Sequence, residues 1–183
     1  INPGKEYLNW PFYSKNSDQE GVMRKGGQFN HNYMERFWPK HAGQEEFSGP
    51  PHHGIRYDYG DLDDVVNLLL RQPLTRQAYF PIWFPEDTGT VHGGRAPCTL
   101  GYHFIKRGNR LNIVYLIRSC DVLRHFQDDV YMAYRLLLWV LKELFSKGGY
   151  VWSGIEPGVL TMHIFSLHVF KGETRRLDRI IRP

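Results

Sequence analysis

The chain has 183 residues, of which 42% are hydrophobic, 15% aromatic and 23% charged. This composition is typical of a globular protein with a buried core and excludes a disordered one, so we expect a single domain over residues 1–183. The net charge of +4 suits an anionic ligand. No block of five like charges is present, so direct contact with nucleic acid is not expected.

Cysteine content and hydropathy indicate the compartment. The two cysteines, Cys98 and Cys120, are too few for a disulfide framework and indicate free thiols in a reducing environment. No apolar run approaches the roughly 18 residues that span a membrane, and the N-terminus lacks a signal-peptide pattern. We therefore expect a cytoplasmic protein without a membrane partner. The abrupt start at Ile1 indicates that the chain is part of a longer domain.

The N-terminal part of the chain has the least regular pattern. Residues 1–55 combine glycine, proline, histidine and aromatic residues without long apolar periodicity, which predicts ordered loops and short elements. The first clear helix is predicted to begin at Asp61, because aspartate is a favoured N-cap residue. It is predicted to end at Gln72, since the residue before a proline is disfavoured in a helix.

A short strand and a loop are predicted to follow this helix. Residues 78–84 are aromatic and apolar, and Pro81 within them favours an edge strand or a bulge. Residues 85–96 are rich in proline, glycine and threonine, which predicts a loop. A loop just before a candidate nucleophile is a reasonable lid or wall of a site.

From Cys98 onward the pattern becomes more regular. Residues 99–106 and 111–117 predict two strands that a tight turn joins into a hairpin. Both faces of the second strand are mostly apolar, which predicts a central strand that is covered on both sides.

The last third of the chain predicts one helix and one strand. Residues 128–145 have acidic residues at their start and apolar positions at helical spacing. Residues 158–170 predict a long strand, and the basic tail 171–183 has no strong pattern. Together these elements predict an α+β fold, in which a mixed β-sheet is packed with helices.

Cys98 is the first candidate for chemistry. A cysteine at the start of a strand is usually an inert, buried thiol. However, Pro97 and a glycine-rich loop precede it, and Arg76, Arg95 and Arg118 could stabilise a thiolate or an anionic substrate. The local sequence leaves both interpretations open.

Other polar residues give weaker signals. Arg118 and Ser119 at the end of a strand suit a phosphate group, although a solvated strand end explains them about as well. Asp128 and Asp129 at the start of a helix are more often capping residues than catalytic ones. Cys120 is interpreted as a small residue in a turn.

The histidines do not have the spacing of metal ligands. His163 and His168 are predicted to lie on one strand at an odd interval, and hence on its opposite faces. We therefore expect no metal site. Glycine-rich phosphate-binding loops of the common kinds are also absent from the sequence.

Four segments taken together resemble the thymidylate synthase and pyrimidine hydroxymethylase superfamily. These segments are Pro97-Cys98-Thr99, Arg118-Ser119-Cys120-Asp121, Asp129 and Ser166-Leu167-His168-Val169-Phe170. The intervals from Cys98 to Arg118, to Asp121 and to Asp129 look like the intervals of the family. The resemblance covers roughly residues 28–170 and is strongest from 73 to 170.

The resemblance implies a mechanism. Cys98 would add to C6 of a pyrimidine and make C5 nucleophilic toward the one-carbon unit of 5,10-methylenetetrahydrofolate. Loss of the C5 proton and of the folate leaves an exocyclic methylene, which takes up water in a hydroxymethylase and hydride in a synthase. Tyr33 resembles a tyrosine near the C5 proton, and a core aromatic residue is the equal alternative.

Five further positions resemble contacts to a pyrimidine nucleoside monophosphate. Arg118 and Ser119 resemble phosphate ligands, and Arg76 resembles an arginine that the family donates across a homodimer interface. Asp121 resembles the residue whose backbone meets the base, and His168 resembles the contact to a sugar hydroxyl.

Two residues make the chain look closer to the phage deoxycytidylate hydroxymethylases than to thymidylate synthases. Synthases follow their cysteine with histidine, whereas this chain has Thr99, as the hydroxymethylases do. Asp129 stands where synthases carry the asparagine that pairs with uracil. A carboxyl group can accept from N4 of cytosine and, when protonated, donate to N3. The implied product is 5-hydroxymethyl-dCMP, made in the host cytoplasm if the protein is phage-encoded.

The chain also departs from the family pattern. Phe170 stands where a tyrosine hydroxyl usually meets the sugar, and Gln77 replaces the second of two paired arginines. The glutamate that organises water near the one-carbon unit is expected upstream of Tyr33, before Ile1. Two alternatives therefore stay open: a thymidylate synthase or dUMP hydroxymethylase, and a catalytically weakened nucleotide-binding subunit of the same fold.

Overall fold

The computed structural model describes residues 36–39, 59–90 and 96–182. Tyr33 and Arg95, two of the residues singled out above, lie outside these ranges, as does nearly all of the segment 1–55. Helix α1 spans Leu62–Arg71. Its first turn is closed by the Asp64 carboxylate, which accepts from the backbone N–H of Asp61 at 3.1 Å. The predicted start and end of this helix are confirmed.

A four-stranded sheet lies at the centre of the described structure, with the strand order β1-β2-β3-β5. These strands are Tyr79–Pro81, Thr99–Arg107, Arg110–Ile117 and Glu156–Ile164. Neighbours β1, β2 and β3 are antiparallel, whereas β3 and β5 are parallel. The sheet is therefore mixed, as predicted. The predicted hairpin of β2 and β3 is confirmed, and Gly108 in its turn has a positive φ of 55°.

Strand β3 is central in the sheet, as predicted, but only one of its faces is fully buried. Leu111, Ile113, Tyr115 and Ile117 are at most 1% exposed. Val114, on the opposite face, is only half-buried. The prediction of a strand covered on both sides is thus wrong for the described part of the chain, because apolar residues on the second face alone do not provide a covering layer.

Helix α2, Phe126–Gly148, covers the buried face of the sheet. Its buried residues include Ala133, Leu137, Val140 and Leu144, which recur at helical spacing. The helix begins two residues before the predicted start, and Gly149 follows its end with a positive φ of 55°. The core between α1, α2 and the sheet also contains the aromatic side chains of Phe37 and Trp38.

The strand predicted over residues 78–84 is much shorter in the structure. Only Tyr79–Pro81 pair with β2, at the edge position that Pro81 favours. Beyond it, the N–H groups of Ile82 and Trp83 both point to the single carbonyl oxygen of Leu100. This irregular pairing ends the ladder, and the chain enters a 3₁₀ turn at Pro85–Thr90 instead of the predicted loop.

The single strand predicted over residues 158–170 is divided in the structure. The N–H of Phe165 donates to the oxygen of Ile117 at the end of β5, and the chain then leaves the sheet. Strand β6, Leu167–His168, pairs instead with β4, Cys120–Asp121, in a separate two-stranded parallel sheet. The prediction that His163 and His168 share one strand is therefore wrong.

The basic tail contains a helix that was not predicted. A 3₁₀ turn at Lys171–Glu173 leads into helix α3, Thr174–Ile181. Its side chains are mostly exposed, because no described element packs closely on its apolar positions. No helix in the described ranges is long and apolar enough to cross a membrane.

Candidate active site

The start of β2 and the end of β3 bring Cys98 and Arg118 together. The backbone N–H of Arg118 donates to the carbonyl oxygen of Cys98 at 2.7 Å, across the open end of the hairpin. Cys98 is a free thiol and is partly exposed beside the core. An accessible cysteine next to an arginine at a strand end is in a position to react with an anionic molecule.

An outer cluster, which consists of Arg118, Ser119 and His168, lies at this end of the sheet. The parallel pairing of β4 with β6 places Asp121 opposite His168, and the Ser119 hydroxyl lies 3.4 Å from Nδ1 of His168. The Arg118 side chain is exposed, and its guanidinium carbon lies 5.6 Å from the ring centre of Trp83. The cluster therefore offers a guanidinium, a hydroxyl and an imidazole.

A buried ion pair holds the segment that carries Trp83. Arg36 is 1% exposed, and its guanidinium donates to both carboxylate oxygens of Asp87 at 2.7 Å. The same guanidinium donates to the oxygen of Ile82, and Asp87 accepts from the N–H of Phe84 at 2.8 Å. These bonds fix the backbone on both sides of Trp83.

An inner cluster, which consists of Thr99, Tyr115, Cys120 and Asp129, lies deeper. The hydroxyls of Thr99 and Tyr115 are 2.8 Å apart. The Tyr115 hydroxyl donates to Oδ1 of Asp129 at 3.3 Å, and the Cys120 thiol donates to Oδ2 of Asp129 at 3.4 Å. Both oxygens of the Asp129 carboxyl are thus held from the protein side.

The inner cluster changes the acidity of its members. Burial raises the pKa of Asp129 above the ordinary aspartate value, while the hydrogen bonds from Cys120 and Tyr115 reduce this rise. Burial, together with the neighbouring Asp129 carboxylate, raises the pKa of the Cys120 thiol to about 12. Cys120 therefore stays a thiol at neutral pH and is unsuited to be a nucleophile.

The structure changes the interpretation of two residues. Asp129 is not a capping residue, because its side chain contacts Tyr115 and Cys120 and its N–H bonds to the oxygen of His125. Cys120 lies in strand β4 and not in a turn. Tyr115 was not recognised from the sequence, although a buried tyrosine in an apolar row usually has a partner for its hydroxyl.

Asp121 lies under the outer cluster and is 3% exposed. Its Oδ1 accepts from the backbone N–H groups of Leu123 and Arg124, at 3.0 and 3.3 Å. Its buried Oδ2 has no hydrogen-bond partner in the described ranges, and Nε of Arg124 lies 3.6 Å away. The Asp121 carboxylate is therefore directed toward the backbone of Leu123 and Arg124 and forms an ion pair with the Arg124 guanidinium.

Arg76 is not brought into either cluster by its described contacts. Its side chain is exposed, and its backbone oxygen lies 3.1 Å from Nε2 of His103 on strand β2. His103 lies on the open face of the sheet, across β2 from the buried core. Arg76 is therefore placed beside a surface and not beside Cys98 within one chain.

Phe170 is half exposed and lies beside the outer cluster. Its ring contacts the His168 ring edge to face at 5.2 Å, and the Arg124 guanidinium lies 5.1 Å from its centre. Arg124 also donates to Glu173 at 2.9 Å. Phe170 therefore supports the His168 ring and Arg124 instead of supplying a hydroxyl.

The chain is similar to known proteins in sequence. No protein-family model matches the chain. It is 25% identical over 129 residues to a thymidylate synthase of Rhodopseudomonas palustris, covering 69% of this chain and 40% of that protein. It is 24% identical over 182 residues to a thymidylate synthase of Rhizorhabdus wittichii, covering 98% of this chain and 46% of that protein.

A solved structure gives the fold. Thermostable thymidylate synthase A from Bacillus subtilis aligns with a TM-score of 0.59 and 17% identity, over 88% of this chain and 51% of that chain. The chain thus spans about half the length of the relatives that it matches. The predicted α+β architecture is confirmed. The chain is similar in sequence to thymidylate synthases and has their fold.

Proposed function

We propose that this chain contains the nucleotide site of a one-carbon transferase that converts dCMP to 5-hydroxymethyl-dCMP. The observation that carries the proposal is the half-buried Asp129, whose carboxyl group is held at both oxygens and has a raised pKa. A raised pKa makes the neutral acid more accessible near neutral pH. A neutral carboxyl group can donate to N3 of cytosine and accept from its N4 amine.

The outer cluster is suited to the phosphate and the sugar. The exposed guanidinium of Arg118 can donate two parallel hydrogen bonds to a phosphate, and Ser119 adds a hydroxyl. His168, next to Ser119, is in reach of a sugar hydroxyl on the same nucleotide. The backbone of Asp121, which follows Cys120 and lies opposite His168 in the β4–β6 pair, is the expected contact to the base.

Cys98 is the proposed nucleophile, because it is partly exposed while Cys120 is a buried thiol with a pKa of about 12. The Cys98 thiolate would form a bond to C6, and the electron pair of the C5–C6 double bond would make C5 nucleophilic. C5 would then form a bond to the carbon that methylenetetrahydrofolate would supply. Loss of the C5 proton to a base, and cleavage of the bond between that carbon and the folate nitrogen, would leave an exocyclic methylene group, to which water would add as the new hydroxyl and a proton. Departure of the Cys98 sulfur from C6 restores the ring.

The described residues fit a folate co-substrate at one position. Trp83, on whose ring face Arg118 rests, offers an aromatic surface for a pterin-like ring. When bound, 5,10-methylenetetrahydrofolate would supply the one-carbon unit. Tyr33, the proposed neighbour of the C5 proton, lies outside the described ranges.

The open face of the sheet supports a homodimer. It carries Tyr79, Val114, Leu116 and Phe165, of which Phe165 is 72% exposed. A second copy on this face would lie beside Arg76, which could then reach the partner's phosphate site. We expect Leu116→Lys to convert a dimer into a monomer in sedimentation analysis, with Tyr150→Ser, at a position 94% exposed, as the control. A monomeric wild-type protein would contradict the homodimer.

The relatives favour a second candidate function, since both of those described above are thymidylate synthases. Tritium release from C5-labelled dCMP and dUMP, with methylenetetrahydrofolate present, separates the candidates. We expect release from dCMP that is lost in Cys98→Ser. Release from dUMP alone would contradict the proposal, and absorbance of dihydrofolate would then identify a synthase. Nucleotide binding without any release would indicate a catalytically weakened binding subunit.

A further inference from the structure

Tyr115 connects the residue after the proposed nucleophile to the residue that is proposed to contact the base. Both Tyr115 and Thr99 are 1% exposed, so their hydroxyls exchange no hydrogen bonds with bulk water. The Tyr115 hydroxyl donates to Oδ1 of Asp129. Its single proton is used in that bond, so the Thr99 hydroxyl, 2.8 Å away, is the donor to the Tyr115 oxygen. The chain of bonds therefore has one direction.

A neutral carboxyl group alone does not distinguish cytosine from uracil. Its proton can be on either oxygen, and the group then presents a donor and an acceptor in either order. Cytosine has an acceptor at N3 and a donor at N4, whereas uracil has a donor at N3 and an acceptor at O4. Discrimination between the two bases therefore requires that the proton be fixed on one oxygen.

The two oxygens of Asp129 have unequal partners on the protein side. Oδ1 accepts from a tyrosine hydroxyl, which is a good donor, and Oδ2 accepts from the thiol of Cys120, which is a weak donor. In the neutral acid, the oxygen that receives the stronger hydrogen bond is favoured as the unprotonated, carbonyl oxygen. That oxygen is Oδ1, so the proton is favoured on Oδ2. The order of donor and acceptor toward a bound base is thereby fixed.

We propose that Tyr115 is a positioning residue for base selection: its hydrogen bond fixes which oxygen of Asp129 carries the proton, and the Thr99 hydroxyl, which donates to the Tyr115 oxygen, strengthens that bond. This inference rests on the proposed function, because it assigns the selected base to the same site. Tyr115 acts through Asp129 and is not itself the proposed contact to the base. It also gives the Thr99 hydroxyl a physical role.

The other titratable groups around Asp129 do not provide the same asymmetry. His125 and Asp128 on its own segment act on the carboxyl only through their charge, and in opposite directions. Cys120 is the partner of Oδ2, and Cys98 and Asp121 act on Cys120. Tyr115 is thus the described residue whose hydroxyl distinguishes Oδ1 from Oδ2.

The test compares dCMP and dUMP affinities of full-length wild type and Tyr115→Phe by calorimetry. Loss of one neutral hydrogen bond changes an affinity by up to about tenfold. We therefore expect the ratio of dCMP affinity to dUMP affinity to fall toward one by up to that factor. Thr99→Val should have the same effect, because it removes the hydroxyl. Thr99→Ser keeps the hydroxyl and should therefore keep the wild-type affinity ratio. Tyr102→Phe is the control, since Tyr102 stacks on Tyr115 at 4.7 Å and lies opposite it in the ladder.

A second measurement does not depend on nucleotide. Carbon NMR titration of the Asp129 carboxyl should show a higher pKa in Tyr115→Phe, because a donor to the charged form has been removed. An unchanged affinity ratio and an unchanged pKa in a folded Tyr115→Phe would overturn the inference. If wild type binds neither nucleotide, both the proposed function and the role of Tyr115 are wrong. If wild type prefers dCMP and Tyr115→Phe keeps the same preference and the same Asp129 pKa, only the role of Tyr115 is wrong.

Discussion

The inner and outer clusters meet at one end of the sheet, but the protein supports them very differently. In the inner cluster, Tyr115 is 1% exposed and both oxygens of Asp129 have protein donors. In the outer cluster, Arg118 is exposed and rests on the face of Trp83. The inner cluster is thus preorganised, whereas the outer cluster keeps its charged donors available. This difference is what a site needs to select a base and to capture a phosphate.

The largest expected effect concerns Cys98, the proposed nucleophile. Cys98→Ser should lower turnover by at least about a thousandfold, because an alkoxide is not available at neutral pH, while nucleotide affinity changes little. Steady-state rates and calorimetry measure the two effects. Cys120→Ser is the comparison variant: it removes the other thiol and puts a stronger donor on Oδ2 of Asp129, so it should weaken the preference for dCMP over dUMP while turnover stays measurable. If Cys120→Ser abolished turnover and Cys98→Ser did not, the assignment of the nucleophile would be wrong.

The second-largest expected effect is on nucleotide affinity and concerns Arg118 in the outer cluster. Arg118→Lys keeps the charge but loses the two-pronged geometry and the contact with Trp83, so we expect about a thirtyfold weaker affinity for dCMP. Affinity for deoxycytidine, which has no phosphate, should stay the same. Arg107→Lys, at the far end of the hairpin, is the control. Equal losses for nucleotide and nucleoside would argue against a phosphate site at Arg118.

The inner cluster predicts a pH dependence. The pKa of Asp129 is raised, so its neutral form is favoured below that pKa and is lost as the pH rises through it. Affinity for dCMP should therefore fall with rising pH, by up to about tenfold per pH unit above the pKa. Asp129→Asn should show only the titration of the phosphate, which is common to both proteins. If the pH profiles of wild type and Asp129→Asn were parallel, a neutral Asp129 carboxyl would not be what binds the base.

The same pKa has a consequence for stability. A carboxyl whose folded-state pKa lies above its unfolded value stabilises the protein fully below the unfolded pKa, and this contribution is lost as the pH rises through the folded pKa. Wild type should therefore lose stability relative to Asp129→Asn as the pH rises from the unfolded-state pKa through the raised folded-state pKa. Thermal melting of both proteins over that range measures the difference. A constant difference would mean that the Asp129 pKa is the same in both states.

The smallest expected effect lies away from both clusters. Gly108 has a φ of 55° and open space around its α-carbon, so Gly108→Ala should cost about 1 kcal/mol of backbone strain. Chemical denaturation should detect this loss, while the dCMP-to-dUMP ratio stays the same. A change in that ratio would show that the two ends of the hairpin are not independent.

The sequence predicts those features that depend on local patterns. The hairpin of β2 and β3 follows from alternating apolar residues around a glycine turn, and the start of α1 follows from Asp61. The nearness of Cys98 and Arg118 follows from the same hairpin, because its open end brings the two positions together. Strand periodicity thus locates part of the candidate site.

Other features depend on tertiary contacts that no local pattern contains. The division of the last strand depends on Ile117, which accepts from Phe165, and on the pairing of β4 with β6. Tyr115 looks like any other buried residue of its strand, because only the docking of α2 brings Asp129 to its hydroxyl. The residues that tune a reactive group were therefore harder to predict than the group itself.

The buried pair of Arg36 and Asp87 has a consequence for folding kinetics. It joins positions 51 residues apart in the chain, so the loop between them must close before the pair can form. Trp83 is held by the backbone that this pair fixes, and Arg118 rests on Trp83. The contact of Arg118 with Trp83 is thus expected to form late in folding, after the hairpin. The folding chain would then gain its affinity for ligand only after most of its secondary structure has formed.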